Sequence, residues 1–137
     1  MTEIKRISFS ELKNWSECAY RHKLIHIDKL PYFSGNEYTS FGTAIHYLCE
    51  NLVIKNVKDK NKVFLKKFEE ELSLLDCEID TNLVEDMKKQ ASSLIEFILP
   101  SLTNAFGKYE VFSVEEQILE NIDEVESYGR KFKGYID

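Results

Sequence analysis

Apolar residues recur every three or four positions along most of this chain, and every second position only near its end. Ser8 and Glu11 have the S-x-x-E spacing of a capping box, so a helix is expected from near Phe9. Its apolar stripe is Phe9, Leu12, Trp15 and, one turn on, Ala19. Trp15 on that stripe is expected in the core. A second helical stretch covers Tyr20 to Ile27, and Pro31, Ser34, Gly35 and Asn36 mark a loop. The helical period returns from about Ser40 to Val57, with Phe41, Ile45, Leu48, Leu52 and Val53 on one face. There Gly42, Thr43 and Ala44 keep the first turn slim, which suits close helix packing at Gly42. A charged helix is expected from about Lys60 to Leu75, facing inward through Val63, Phe64, Phe68 and Leu72. Another runs from about Asn82 to Phe97 on Leu83, Met87, Ala91, Leu94 and Ile98. Pro100 breaks or restarts that helix and Gly107 closes the segment.

After Gly107 the chain is rich in Val, Phe, Ile and Tyr from Tyr109 to Leu119, which predicts a strand. Asn121 to Gly129 is polar and turn-like. Arg130 to Asp137 then alternates, with Phe132, Gly134 and Ile136 set against Lys131, Lys133 and Tyr135. The two strands are expected to form an antiparallel hairpin whose last strand has an unpaired edge. Such a ribbon must lie on the helices or gain strands from another polypeptide.

Composition narrows the class. The length of 137 residues suits one modest domain, helical over 1–107 and hairpin over 108–137, of α/β (α+β) class. Hydrophobic residues at 43% and charged residues at 31% are ordinary for a globular protein. There is no run of the roughly 20 apolar residues that a membrane span needs, and no signal-like N-terminus, so a cytoplasmic protein is expected. Cys18, Cys49 and Cys77 are widely spaced and lack CxxC pairing, which favours buried thiols over a disulfide framework or a zinc site.

The net charge of -6 counts against a nucleic-acid partner only if the charge is evenly spread, and it is not. The first 31 residues hold six Lys and Arg against four acids, while the rest is strongly acidic. An acidic metal site, neutralised by its cations, is compatible with that balance.

Four segments carry the candidate chemistry: ISFSELKNWSECAYRHKL at 7–24, FGTAIHYLCE at 41–50, VFSVEEQILE at 111–120 and FKGYID at 132–137. Their order and spacing resemble the RecB-like nucleases of the PD-(D/E)XK superfamily. The opening pattern of that family is matched by Ser10, Leu12, Trp15, Cys18, Tyr20 and Arg21, with Ala19 where proline is common. Its Gly-x-x-x-His helix is matched by Gly42 and His46, its Val-Glu strand by Val114 and Glu115, and its Gly-x-x-Asp strand by Gly134 and Asp137.

The resemblance implies a metal-dependent DNA nuclease, exonuclease-like, on a PD-(D/E)XK-type central sheet that is incomplete in this chain. Its setting would be a bacterial or phage-infected cell. His46 and Asp137 would hold Mg²⁺ or Mn²⁺, with Glu115 assisting and Glu116 as its rival if the register slips by one residue. Carboxylates suit hard Mg²⁺ and an imidazole tilts a site towards Mn²⁺. Lys13, Tyr20, Arg21, Lys23 and Lys133 would contact DNA, by charge or by stacking.

The Asp/Glu-x-Lys motif of the family should follow Asp137. A C-terminal continuation or a second polypeptide is therefore expected to complete both sheet and site, and the chain alone is expected to be inactive. Cys18 matches one ligand of the iron–sulfur centre found in some relatives, but such a centre takes four, so no cluster is expected. The rival expectation is a non-catalytic nuclease-like module that binds DNA or a protein partner.

Overall fold

The computed structural model describes residues 6–31, 34–123 and 129–136. Its elements run β1 (Arg6–Ser8), α1 (Phe9–Glu17), α2 (Ala19–His22), a π-helical turn (Lys23–Ile27), α3 (Glu37–Ile54), α4 (Lys60–Ser73), α5 (Thr81–Ile95), α6 (Ile98–Phe106), β2 (Glu116–Glu120) and β3 (Lys131–Ile136). The architecture is α/β, helix-rich with a small mixed sheet. It gathers into two compact units, one of Phe33–Phe112 and one that joins Met1–Tyr32 to Ser113–Asp137.

The helical unit owes its form to well-placed caps and one continuous apolar stripe. Asn36 caps α3 by accepting from the Thr39 N–H, and Thr39 accepts from the Asn36 N–H in return. Asp59 caps α4 by accepting from the Lys62 N–H, and Asp80 caps α5 by accepting from the Asn82 and Leu83 N–H groups. The core is Ala44, Leu48 and Leu52 from α3, Phe64, Phe68 and Leu72 from α4, and Val84, Met87, Ala91 and Ile95 from α5. Phe64 and Phe68 stack at 5.4 Å between ring centroids, and Phe41 meets Phe64 edge-on at 5.6 Å. Buried Glu37 ties α3 to the start of α5, its carboxylate accepting from the Asp80 N–H at 2.8 Å.

Within this unit α4 follows its expected face, while on α3 Leu48 and Leu52 are buried and Phe41 and Ile45 pack against the core, but Ala44 takes a buried place and Val53 does not. On α5 the buried stripe is rotated, to Val84, Met87, Ala91 and Ile95, and Leu94 is half exposed. Pro100 sits in the first turn of α6, where its missing N–H costs no helical bond. Gly107 closes α6 at a φ of 67°, a backbone angle that suits glycine. Nothing lies within 4 Å of a Cβ built on Gly42, so close packing is not what glycine provides there.

The other unit is built on a three-stranded sheet of order β1-β3-β2. Antiparallel pairing of β2 with β3 agrees with the expected hairpin. The expected unpaired edge does not occur on β3, because β1 pairs with it in parallel from Arg6 against Lys131 to Ser8 against Lys133. A three-residue strand at the N-terminal side has no period to announce it. β2 is also shorter than the predicted run, since residues 109–115 are irregular and Phe112 is 97% exposed.

Ser8 caps α1 as expected, accepting from the Glu11 N–H at 3.2 Å. The Glu11 carboxylate turns elsewhere: it meets the His22 ring nitrogen Nε2 at 3.1 Å and Arg130 at 3.9 Å. Asn14 and His26 meet at 3.0 Å, and the two histidine rings stack. None of the described residues of this unit is fully buried, and Trp15 is 59% exposed rather than in a core. The apolar stripe of α1 exists, but Phe9, Leu12 and Trp15 on it are exposed. The thiols also differ from expectation: Cys18 and Cys77 are exposed and Cys49 is half-buried, all three free.

Candidate metal and nucleic-acid site

His46 lies on α3 of the helical unit, one turn beyond Gly42. The chain folds that way locally because Asn36 starts the helix and the Ala44, Leu48 and Leu52 stripe faces the core, which turns the Gly42, His46 and Glu50 side outward.

Glu50, four residues on, was not singled out by the motif. Its carboxylate is 2.9 Å from His46 Nδ1, with the imidazole 51% and the glutamate 31% exposed. The i,i+4 spacing from a histidine is the signal that could have found it. A carboxylate on one ring nitrogen fixes the orientation of an imidazole and raises its basicity as a ligand. An imidazole so oriented suits a divalent ion such as Mn²⁺. Between them in sequence, burial pushes the Cys49 thiol above its ordinary range, and the Glu50 charge adds to this, so Cys49 is a poor nucleophile.

Glu115 belongs to the other unit and is not on a strand. It sits in the bend just before β2, at a φ of 51°. A non-glycine residue in that left-handed region carries strain of about 1–3 kcal/mol, of the kind that collects at functional sites. Glu116, its rival, opens β2 and accepts a hydrogen bond from the Ser113 hydroxyl at 2.9 Å. Asp137, the other expected ligand, lies outside the described residues.

Of the candidate DNA contacts, Lys13 is exposed on α1 and Tyr20 is 67% exposed on α2. Arg21 pairs with Glu17 at 3.2 Å and Lys23 with Asp28. Both pairs are solvated, so each holds its cation weakly and leaves it able to exchange its partner for a phosphate. Lys133 stands on β3, with its ammonium 4.9 Å from the centre of the Tyr135 ring. The Tyr135 hydroxyl accepts from the Gln117 amide at 2.9 Å. Lys133 first, and then Gln117, hold the Tyr135 phenol below its ordinary range, and Arg6 adds to the effect. Sequence reading had paired neither Tyr135 nor Gln117 with Lys133.

A sequence profile of the PD-(D/E)XK nuclease superfamily matches residues 6–137. The chain belongs to that superfamily. Its enzymes generally use divalent metals. Comparison with the curated proteins finds no match, and comparison with the solved structures finds none either. Among the described residues, no helix is long and apolar enough to cross a membrane.

Proposed function

We propose that this chain is part of a RecB-like DNA nuclease, exonuclease-like in action, and that His46 and Asp137 hold a divalent ion with Glu115 assisting. The observation that carries the reading is the single profile match over 6–137, which spans all four motif segments at once. Its support at the level of chemistry is the His46–Glu50 pair, a carboxylate-oriented imidazole on a rigid helix. The strained backbone at Glu115 is a second support.

A bound Mg²⁺ or Mn²⁺ would polarise a phosphoryl oxygen and lower the pKa of a water. The residues of the chain have the remaining tasks. Glu50 engages Nδ1 of His46 and would orient the ring as a ligand. Glu115 and Asp137 contribute negative charge. Lys13, Tyr20, Arg21, Lys23 and Lys133 hold the DNA strand by its phosphates and bases. An acid and a lysine of the Asp/Glu-x-Lys type complete the site, from residues beyond Asp137 or from a second polypeptide, in the cytoplasm of a bacterial or phage-infected cell.

Calorimetric titration with Mn²⁺ tests the metal reading without requiring catalysis. The wild-type chain is expected to bind, and His46→Ala and Asp137→Asn are each expected to weaken binding at least tenfold while the fold is retained. Equal affinity in all three proteins sinks the proposed ligand set. Metal-independent DNA binding, with no cleavage when the completing segment is supplied, would instead favour a non-catalytic binding module.

A further inference from the structure

The register of the sheet sorts charges that look mixed in the sequence. Partners in a ladder share a face, and faces alternate along each strand. Arg6 pairs with Lys131 and Ser8 with Lys133, while Gln117 pairs with Tyr135 and Leu119 with Lys133. One face therefore carries Arg6, Ser8, Lys131, Lys133, Tyr135, Gln117 and Leu119. The other carries Ile7, Phe132, Gly134, Ile136 and Ile118, with both strand acids, Glu116 and Glu120. Among the described residues of the three strands, the first face holds three cations and no acid. The side-chain geometry agrees with that sorting, since Lys133 lies against the Tyr135 ring and Gln117 binds the Tyr135 hydroxyl.

This arrangement is costly for the sheet alone. Arg6 and Lys131 are direct neighbours of like charge on paired strands, which destabilises a sheet. The cost is recovered when an anion lies across them. The anion has further requirements, because the cations run along β1 and β3 and end at a 56% exposed aromatic ring. A row of cations beside an exposed ring matches a strand of alternating phosphates and bases, whose phosphates need charge and whose bases need a π-face.

We infer that this sheet face is a docking surface for single-stranded nucleic acid, with Arg6, Lys131 and Lys133 on successive phosphates and Tyr135 stacked on a base. It rests on the nuclease reading for its biological setting but not for its chemistry, and it involves no metal. In a protein of net charge -6, such a local reversal gives binding that salt suppresses strongly. Three phosphate contacts to a single strand give a slope of about -2 for the logarithm of affinity against the logarithm of salt.

The test is fluorescence anisotropy of a labelled oligothymidylate with the full chain in EDTA, which removes any metal contribution. The wild type is expected to bind with that slope. Lys131→Glu with Lys133→Glu is expected to lose at least tenfold in affinity and to flatten the slope. Tyr135→Leu should lose about tenfold with the slope unchanged, and Tyr135→Phe should stay near wild type, because stacking needs the ring alone. Lys66→Glu, on the exposed side of α4, is the charge control and should change affinity less than threefold. Circular dichroism of each variant establishes that it is folded. If the wild type binds and the face variants bind equally well, the face is not the site, while the nuclease reading stands. Absence of binding to oligothymidylate, or binding only to vesicles containing phosphatidylserine, overturns the inference, and the Mn²⁺ titration then judges the nuclease reading separately.

Discussion

The two units of this chain are held together by different physics. Phe33–Phe112 has, among its described residues, ten buried apolar side chains from three helices, in contact with one another. The unit of Met1–Tyr32 and Ser113–Asp137 has no fully buried side chain among its described residues, and relies on ladder hydrogen bonds and polar ties such as Glu11 with His22 and Arg130. Burial stabilises roughly in proportion to apolar area, whereas part-exposed polar ties contribute about 1 kcal/mol each. The helical unit therefore carries most of the stability. The sheet unit carries Glu115 and all the proposed DNA contacts, Lys13, Tyr20, Arg21, Lys23 and Lys133. Only His46 and its carboxylate stand on the well-packed side. A ligand group benefits from a rigid support, while a surface that tracks a long polymer benefits from exposure.

The sharpest way to break this comparison is to truncate one side chain in each unit. Phe68→Ala should destabilise the protein by about 3–5 kcal/mol in urea denaturation, since the ring is fully buried among aromatic neighbours. A loss below about 1 kcal/mol would mean that the helical core is not the source of stability. Glu11→Ala should cost about 1–3 kcal/mol, by leaving the part-buried His22 without its carboxylate. If that loss matched Phe68→Ala, polar ties would hold the sheet unit as strongly as packing holds the other.

Glu50→Ala sharpens the comparison on the rigid side. It should weaken Mn²⁺ binding by about tenfold with little change in stability, because a carboxylate that orients a ligand histidine contributes on that scale. Trp15→Ala should cost about 1 kcal/mol or less, since more than half of the side chain is already in water. A core tryptophan would cost several times that.

The smallest effect is the titration of Tyr135. Its folded-state value is depressed, so its tyrosinate forms at lower pH than in the unfolded chain. Stability from that ionisation is present above the unfolded value and is lost as pH falls through the folded one. Ultraviolet difference titration of Tyr135→Phe should remove a phenol that ionises below the ordinary tyrosine range, and Lys133→Gln should move that ionisation back up.

Much of this molecule could be read from the order of its residues. Helix positions in the packed unit follow from a 3.6-residue period, a local property of the backbone, while the caps at Asn36, Asp59 and Asp80 that set their starts were not read from the sequence. The four motif segments are legible for the same reason, being short patterns fixed by the chemistry of a few side chains. Tertiary structure alone decided what depends on partners distant in sequence. It made β3 a central strand by bringing β1 alongside it, and it left Trp15 in water on a stripe that looked like core. Glu11 went to His22 and Arg130 instead of closing its own capping box. Arg6 came beside Lys131, turning a face of an acidic protein cationic. Periodicity says which residues share a side of an element, but only the packing of elements says what that side meets.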